Sequence, residues 1–261
     1  GGPHANGEEQ EILAQYSGWG GLSDAFEPNK DSWHSEYTEL KSLLTEEEYA
    51  AARSSTLTAF YTPPEVIDAM YTTLRKMGVG AGTILEPSMG AGAFFGQSHS
   101  YLYEPTTRLF GVELDSLTGR IARQLYQKAN IQITGFEKAD LPDSFFDVVI
   151  GNVPFGDYSV VDPQYNRLHF KIHDYFFAKS IDKLRTGGII AFITTSGTLD
   201  KKSEEVRRYI NARCDFIGAV RLPDSTFKSA GTKAMADIIF LQKRDRILEQ
   251  DASWLHTTQT E

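Results

Sequence analysis

From Phe60 to Gln242 the chain alternates between short strand-like runs and stretches with helical spacing. That alternation restricts it to an open α/β sheet with helices packed on its faces. The strand-like runs are Thr83–Glu86, Leu109–Glu113, Ile131–Thr134, Phe146–Ile150, Ile189–Thr194, Phe216–Arg221 and Asp237–Gln242. Pro63 and Pro64 open a helix that carries Val66, Ile67, Met70, Tyr71 and Leu74 on one side. A second helix spaces Leu117, Ile121 and Leu125 along one side, and residues 168–184 read as a long helix ended by Thr186-Gly187-Gly188. Glu204–Ala212 reads as a helix with acids in its first turn.

Three regions follow. Residues 1–57 form a helical lead-in, whose first few residues read as a cloning scar. Thr45 and Glu48 are spaced as a capping box opening a helix to about Ser54. Gly18-Trp19-Gly20-Gly21-Leu22 reads as a turn in which Trp19 packs the lead-in onto the main domain. Residues 58–244 form the α/β domain. Residues 245–261 are polar, lack a period, and read as a linker or truncated tail.

A hydrophobic content of 41% supports a real core. No apolar run approaches the ~18 residues of a membrane span, and the opening lacks the form of a signal peptide. Cys214 is the only cysteine, which leaves no intrachain disulfide and no cysteine-rich zinc site. These features predict a cytoplasmic protein with no membrane partner and no metal. His173-Asp174, inside the long helix, reads as structural rather than metal-binding.

Two segments carry chemistry. Glu86-Pro87-Ser88-Met89-Gly90-Ala91-Gly92 follows the first strand, and its glycines let backbone approach a ligand. About 20 residues on, the second strand ends in Gly111-Val112-Glu113-Leu114-Asp115. An acid there can accept both hydroxyls of a ribose, which predicts Glu113 as a nucleotide-cofactor ligand and Asp115 or Ser116 as the cap of the next helix. The loop lacks a full G-x-G-x-x-G, which disfavours a nicotinamide cofactor. The fourth strand runs into Asn152-Val153-Pro154-Phe155: an amide oxygen, a backbone carbonyl and a flat ring. Those groups suit a planar exocyclic amine.

In order, Tyr61-Thr62-Pro63-Pro64, Leu85-Glu86-Pro87-Ser88-Met89-Gly90-Ala91-Gly92, Gly111-Val112-Glu113-Leu114-Asp115 and Asn152-Val153-Pro154-Phe155 resemble the gamma-class N6-adenine DNA methyltransferases and the modification subunits of type I restriction systems. The resemblance spans roughly residues 58–244. Residues 8–57 are similar to the lead-in of very large helicase–methyltransferase proteins of mobile elements. The resemblance implies a class I S-adenosylmethionine-dependent methyltransferase fold: a Rossmann-like, seven-stranded, mostly parallel sheet with one antiparallel strand, preceded by a helical extension. It places Tyr61, Thr62 and Pro63 near the methionine part of S-adenosylmethionine. Glu86, Pro87, Gly90, Gly92 and Leu114 border that cofactor, Glu113 holds its ribose, and S-adenosylhomocysteine is the product. The family's Asp after the third strand is absent here. Glu137 stands one residue late, with Ile or Phe packing as the other candidate for the adenine slot.

The same resemblance implies methyl transfer to the N6 amine of a flipped-out adenine in DNA. Asn152 and the Val153 carbonyl accept from the amine, Pro154 shapes the turn, Phe155 stacks on the base, and Phe227 covers its other face. Val153 replaces the first proline of the usual Asn-Pro-Pro-aromatic element, with loss of the rigidity a fixed φ supplies. Residues 156–170 are expected to move over the acceptor.

The net charge of −9, from 26 basic and 35 acidic residues, is unlike a complete DNA-gripping protein. It suits a catalytic module whose target-recognition or helicase-like part lies in another domain or subunit. It also suits a methyltransferase acting on RNA or a protein glutamine, and a non-catalytic cofactor-binding scaffold is the remaining alternative.

Overall fold

The computed structural model describes residues 3–56, 61–80, 82–98, 106–227 and 235–257. The expected boundary at 57/58 and the last residues of the tail lie outside them. The sheet contains β1 (Thr83–Glu86), β2 (Arg108–Glu113), β3 (Asn130–Ile133), β4 (Phe146–Asn152), β5 (Leu184–Thr195), β6 (Cys214–Arg221) and β7 (Ala236–Lys243). Their order is β3-β2-β1-β4-β5-β7-β6. All pairings among β1–β5 are parallel, and β7 runs antiparallel to both β5 and β6. This is the seven-stranded, mostly parallel sheet that the resemblance implies.

Alternation along the strands builds two cores, one per face. Ile84, Val148, Ile150, Ile189, Ala191 and Ile193 face one way. There they meet Ile67, Met70, Tyr71 and Leu74 of α4 (Pro64–Lys76) and Phe94 and Phe95 of α5 (Ala93–Ser98). Leu85, Val149, Ile190 and Phe192 face the other side and meet Ile172, Phe176, Phe177 and Ile181 of α7 (Ile172–Lys183) and Val206 and Ile210 of α9 (Glu205–Arg213). All four residues of β1 are buried, as expected of a parallel strand covered on both faces.

The lead-in contains α1 (Gly7–Leu13), α2 (His34–Leu43) and α3 (Glu46–Ser55). The Thr45–Glu48 capping box is formed in full. The lead-in has its own small core of Ala25, Phe26, Tyr49 and Ala52 with Trp19, Trp33 and Tyr37 against it. It docks on α6 (Ser116–Leu125). Tyr16 meets Thr118, hydroxyl to hydroxyl, at 2.6 Å. Gln10 donates to the Gln124 carbonyl at 2.7 Å, and Arg120 pairs with Glu48 at 2.8 Å. Trp19 packs edge-on between Tyr16 and Phe26.

Three expectations are corrected. The long helix starts at Ile172, because the turn Asn166–Leu168 ends in His169 with a left-handed backbone (φ 52°). Loop 156–170 is anchored rather than loose: Asp162 accepts from Tyr175 and Lys179 at 2.7 and 3.0 Å, and Ile172 N–H donates to the Tyr158 carbonyl. Thr186-Gly187-Gly188 does not end the helix. It lies in a bulge of β5, which already pairs Leu184 with Phe146 before the register shifts.

The tail differs as well. Arg244 and Leu248 donate backbone bonds to Arg213 and Ala212. Trp254 stacks on Phe216 with ring centroids 4.5 Å apart, Leu255 is fully buried, and Arg207 donates to its carbonyl. Residues 244–255 are therefore packed on α9 and β6 rather than forming a linker.

Asp147 sets the register at the sheet centre. Its carboxylate accepts from the Gly82 and Thr83 amides at 2.7 and 2.9 Å and is paired with Arg185 across the bulge. Burial would raise its pKa, but the Arg185 and amide hydrogen bonds outweigh that and hold it below the usual aspartate value. Asp147→Ala is expected to cost about 1–3 kcal/mol, since it strips partners from groups in and beside β1. Urea unfolding should show a lower midpoint at unchanged slope. Because the folded pKa is depressed, the stabilisation is complete above the ordinary aspartate pKa of about 3.9 and is lost as pH falls below it.

Candidate cofactor and acceptor site

The strand order reverses between β1 and β4, and open α/β sheets bind ligands in the crevice beyond such a point. A cavity of about 550 Å³ opens there. Its floor is the loop after β1. The Met89 amide donates to the Val112 carbonyl, and the Gly90 amide donates to Glu113 Oε2 at 2.8 Å. Gly92 has φ +96°, and a Cβ there would lie 2.3 Å from the Tyr126 ring, so only glycine fits.

Glu113, at the end of β2, uses its other oxygen to accept the Asp115 amide at 3.0 Å. Asp115 caps α6 by accepting from the Thr118 amide and hydroxyl, as the sequence suggests. Glu113 thus bridges the glycine loop and the start of α6. Burial pushes its pKa up to about 7, against the pull of the Asp115 and Gly90 amides. Glu86 is fully buried at the end of β1. Burial, and then the neighbouring Glu113 charge, drive its pKa well above the ordinary range.

The far wall comes from Gly135, Phe136 and Glu137 after β3. Glu137, although one residue late, folds back over the Gly135 α-carbon; a Cβ on Gly135 would lie 2.2 Å from its carboxylate oxygen. Leu114 is 74% exposed at the rim.

At the acceptor end, Asn152 closes β4. Its amide nitrogen donates to Thr62 Oγ1 at 3.2 Å, and its Oδ1 is buried with no donor. Val153 buries its side chain in the α7-side core and donates its N–H to the Ile193 carbonyl at 3.0 Å. Pro154, Tyr61, Thr62 and Pro87 line the cavity. Pro63, Gly92, Val153 and Phe155 are not among the residues that line it; Pro63 precedes α4, and Phe155 is half-buried. Phe227 is placed elsewhere. It is 3% exposed, in the same core as Leu222, Ala236 and Ile238, so it fills an apolar slot and offers no face to the cavity.

Several lining residues escape motif reading: Tyr16, Trp19 and Ser54 from the lead-in, and Tyr158 and Val160 from the loop after the Asn152 element. The Gly18–Leu22 turn and the expectation that residues 156–170 cover the acceptor are the sequence signals for them.

Among the unpartnered buried side-chain atoms of the lining residues, oxygens outnumber the single indole nitrogen of Trp19. Glu86 Oε2, Asp115 Oδ1 and Asn152 Oδ1 are buried acceptors without donors. The site calls for a ligand that brings hydrogen-bond donors and positive charge. Among the described residues, no cluster of three or more His, Cys, Asp or Glu side chains is placed to hold a metal ion. Asp174 instead accepts from Thr198 and pairs with Lys201. Among the described residues, no helix is long and apolar enough to cross a membrane.

The raised Glu113 pKa has a measurable sign. Between the unfolded value of 4.5 and the folded value of about 7, the folded protein holds the extra proton. That contribution to stability is full below the unfolded value and lost as pH rises through about 7. The thermal midpoint of ligand-free protein should carry this downward component from about pH 5 to 8. Glu113→Gln should flatten the slope; equal slopes in the two proteins would refute it.

A model of the family described as N-6 DNA Methylase matches residues 43–260. The chain is 25% identical over 260 residues to the Defense against restriction protein B of Escherichia phage P1, covering 97% of this chain and 10% of that protein. Among solved structures it is similar to a modification subunit assigned to a type I restriction enzyme of Vibrio vulnificus YJ016 (TM-score 0.60, 20% identity, 80% of this chain and 49% of that one). It is also similar to a Listeria monocytogenes protein assigned as a class I S-adenosylmethionine-dependent methyltransferase (TM-score 0.59, 18% identity, 90% of this chain and 81% of that one). The chain thus spans about a tenth of the phage protein and about half of the Vibrio subunit. At these identities the structural likenesses establish the fold. With the family model covering most of its length, the chain belongs to the N-6 DNA Methylase family.

Proposed function

We propose that this chain is a catalytic module that transfers a methyl group from S-adenosylmethionine to the exocyclic N6 amine of adenine in DNA. The observation that carries the reading is Asn152 Oδ1: a buried acceptor without a donor, turned by the Thr62 hydroxyl and set at the end of an acid-lined cavity.

The cofactor fits the cavity's needs. It brings an ammonium, two ribose hydroxyls and an adenine amine as donors, and a sulfonium as positive charge. The unpartnered acceptors Glu86 Oε2 and Asp115 Oδ1 suit those groups. Glu113 would take the ribose hydroxyls, Tyr61, Thr62 and the glycine loop would flank the methionine part, and Leu114, Phe136 and Glu137 would bracket the adenine. When bound, the cofactor supplies an electrophilic methyl group.

An adenine amine is a weak nucleophile because its lone pair is delocalised into the ring. Acceptors out of the ring plane draw the amine toward tetrahedral geometry and free the lone pair. Asn152 Oδ1 and the Val153 carbonyl are the acceptors, fixed before the substrate arrives and so able to stabilise developing charge. The target base must leave the duplex to reach them. Phe155 stacks on it, worth roughly 1–3 kcal/mol. Site recognition resides in a domain or subunit outside this chain, in keeping with the net charge of −9 and with the small share of the phage protein that this chain spans.

The test is methyl transfer from labelled S-adenosylmethionine to duplex DNA, single-stranded DNA, RNA and protein, with digested products identified by mass. N6-methyladenine from DNA is expected. Asn152→Ala should lower kcat by about 10²–10³-fold, as for loss of one preorganised polar group, and leave cofactor affinity within a few-fold. A methylated RNA base or glutamine, a reading that the acidic charge favours, would instead reassign the acceptor.

A further inference from the structure

The loop after the Asn152 element contributes Tyr158 to the cavity wall, and the turn after β3 contributes Glu137. They come from distant parts of the chain, and α7 holds both. The N–H of Ile172, the first residue of α7, donates to the Tyr158 carbonyl at 2.8 Å. One turn on, Phe176 packs on Phe136, the residue before Glu137, with ring centroids 4.8 Å apart. Ile172 and Phe176 share a helix face, and both line the cavity. Asp162, farther along the loop, is tied to Tyr175 and Lys179 of the same helix. The Tyr158 ring lies on the α-carbon of Gly156, where a Cβ would sit 2.9 Å from it and displace it.

The Tyr158 hydroxyl is open to a ligand. The residue is 43% exposed. Among the described residues, neither its hydroxyl nor the Glu137 carboxylate makes a hydrogen bond. Burial, and then the nearby Glu137 charge, raise the Tyr158 pKa, so the phenol keeps a proton to donate at neutral pH. A carboxylate only accepts. The pair therefore presents an acceptor and a donor to the same cavity. The edge of an adenine presents the reverse: an exocyclic amine that donates, flanked by ring nitrogens that accept. Glu137 alone would meet only the amine, and Tyr158 supplies the donor that the adjoining nitrogen requires.

We propose that Tyr158 is a specificity-determining residue of the cofactor site, whose hydroxyl donates to a ring nitrogen of the cofactor's adenine while Glu137 accepts from the adjoining amine. The loop after the acceptor element is then part of the cofactor site as well. This rests on the reading that the cavity takes S-adenosylmethionine.

The test is calorimetric titration of wild type and Tyr158→Phe with S-adenosylhomocysteine and with its 1-deaza and 7-deaza analogues, each of which replaces one ring nitrogen of the adenine by C–H. Phenylalanine keeps the ring on Gly156 and deletes a hydroxyl that no protein group uses, so the thermal midpoint should be retained. S-adenosylhomocysteine should bind Tyr158→Phe about ten-fold more weakly, the usual scale for one lost hydrogen bond. Wild type should show the same loss with one of the two analogues, and for that analogue the substitution should make no further difference. Which analogue it is assigns N1 or N7. Such non-additivity reports a direct contact, which a packing role would not produce. Tyr158→Phe with wild-type affinity, or an equal loss for all three ligands, overturns the proposal. So does wild type that binds both analogues as tightly as S-adenosylhomocysteine, a result that needs no variant. Wild-type protein that binds neither S-adenosylhomocysteine nor S-adenosylmethionine overturns the reading of the cavity itself.

Discussion

The parallel pairing of β1 with β4 is the constraint on which the rest of the molecule depends. Ile84 pairs with Val148 and Leu85 with Val149. Continuing that register sets Glu86 beside Ile150 and leaves Asn152 projecting beyond the end of β1. A slip of one residue would send Ile84 and Leu85 into each other's core and move Glu86 relative to Asn152. The register is therefore specified twice: by the two apolar faces, and by the Asp147 carboxylate at the opposite end of the strands. Because the strand order reverses at this pair, correct pairing and an open crevice are one event.

The crevice is where the molecule departs from rules it obeys elsewhere. The two faces of the sheet are filled by apolar side chains in alternation. The cavity instead collects Glu86, Glu113 and Asp115 in a chain that already carries nine excess negative charges. Burial disfavours the charged form of both Glu86 and Glu113 there, and the neighbouring charges of Glu113 on Glu86 and of Asp115 on Glu113 add to it. Local inconsistency of this kind is expected at functional sites, where stability is given up to prepare for a ligand. A ligand bearing positive charge and donors would relieve the repulsion and satisfy the unpartnered oxygens together.

Much of this was legible in the sequence, and the physics explains which parts. Each strand reads as an apolar run because both faces of the sheet are covered, and Glu86, Glu113 and Asn152 are conspicuous because each ends such a run. What could not be read depends on contacts between distant segments. The tail's side chains are mostly polar, yet its backbone bonds to Arg213 and Ala212, Arg244 reaches the Cys214 carbonyl, and Trp254 and Leu255 pack against the domain. Phe227 resembles a base-covering aromatic in local sequence, but Leu222 and Ala236 offer it a core position. At the β5 bulge Arg185 pairs with Asp147, an interaction with no local signature. Trp19 announces a turn, but its place in the cavity lining goes with the docking of Tyr16 and Gln10 on α6.

The Asn152 element shows how tertiary structure can replace a local rule. A proline after the asparagine would fix φ through its ring, and Val153 gives up that device. In exchange it keeps an N–H, which donates to the Ile193 carbonyl, and a branched side chain, which is 2% exposed in the core against α7. One bond ties the backbone to β5, and the packing fixes the side chain. The carbonyl on the acceptor side is thus held by the sheet rather than by a ring. The same logic covers Asn152: Thr62, ninety positions earlier in the chain, takes its amide N–H and leaves the oxygen buried without a donor. Rigidity at this site is a property of the assembled sheet, which is why a valine can stand where the local pattern calls for proline.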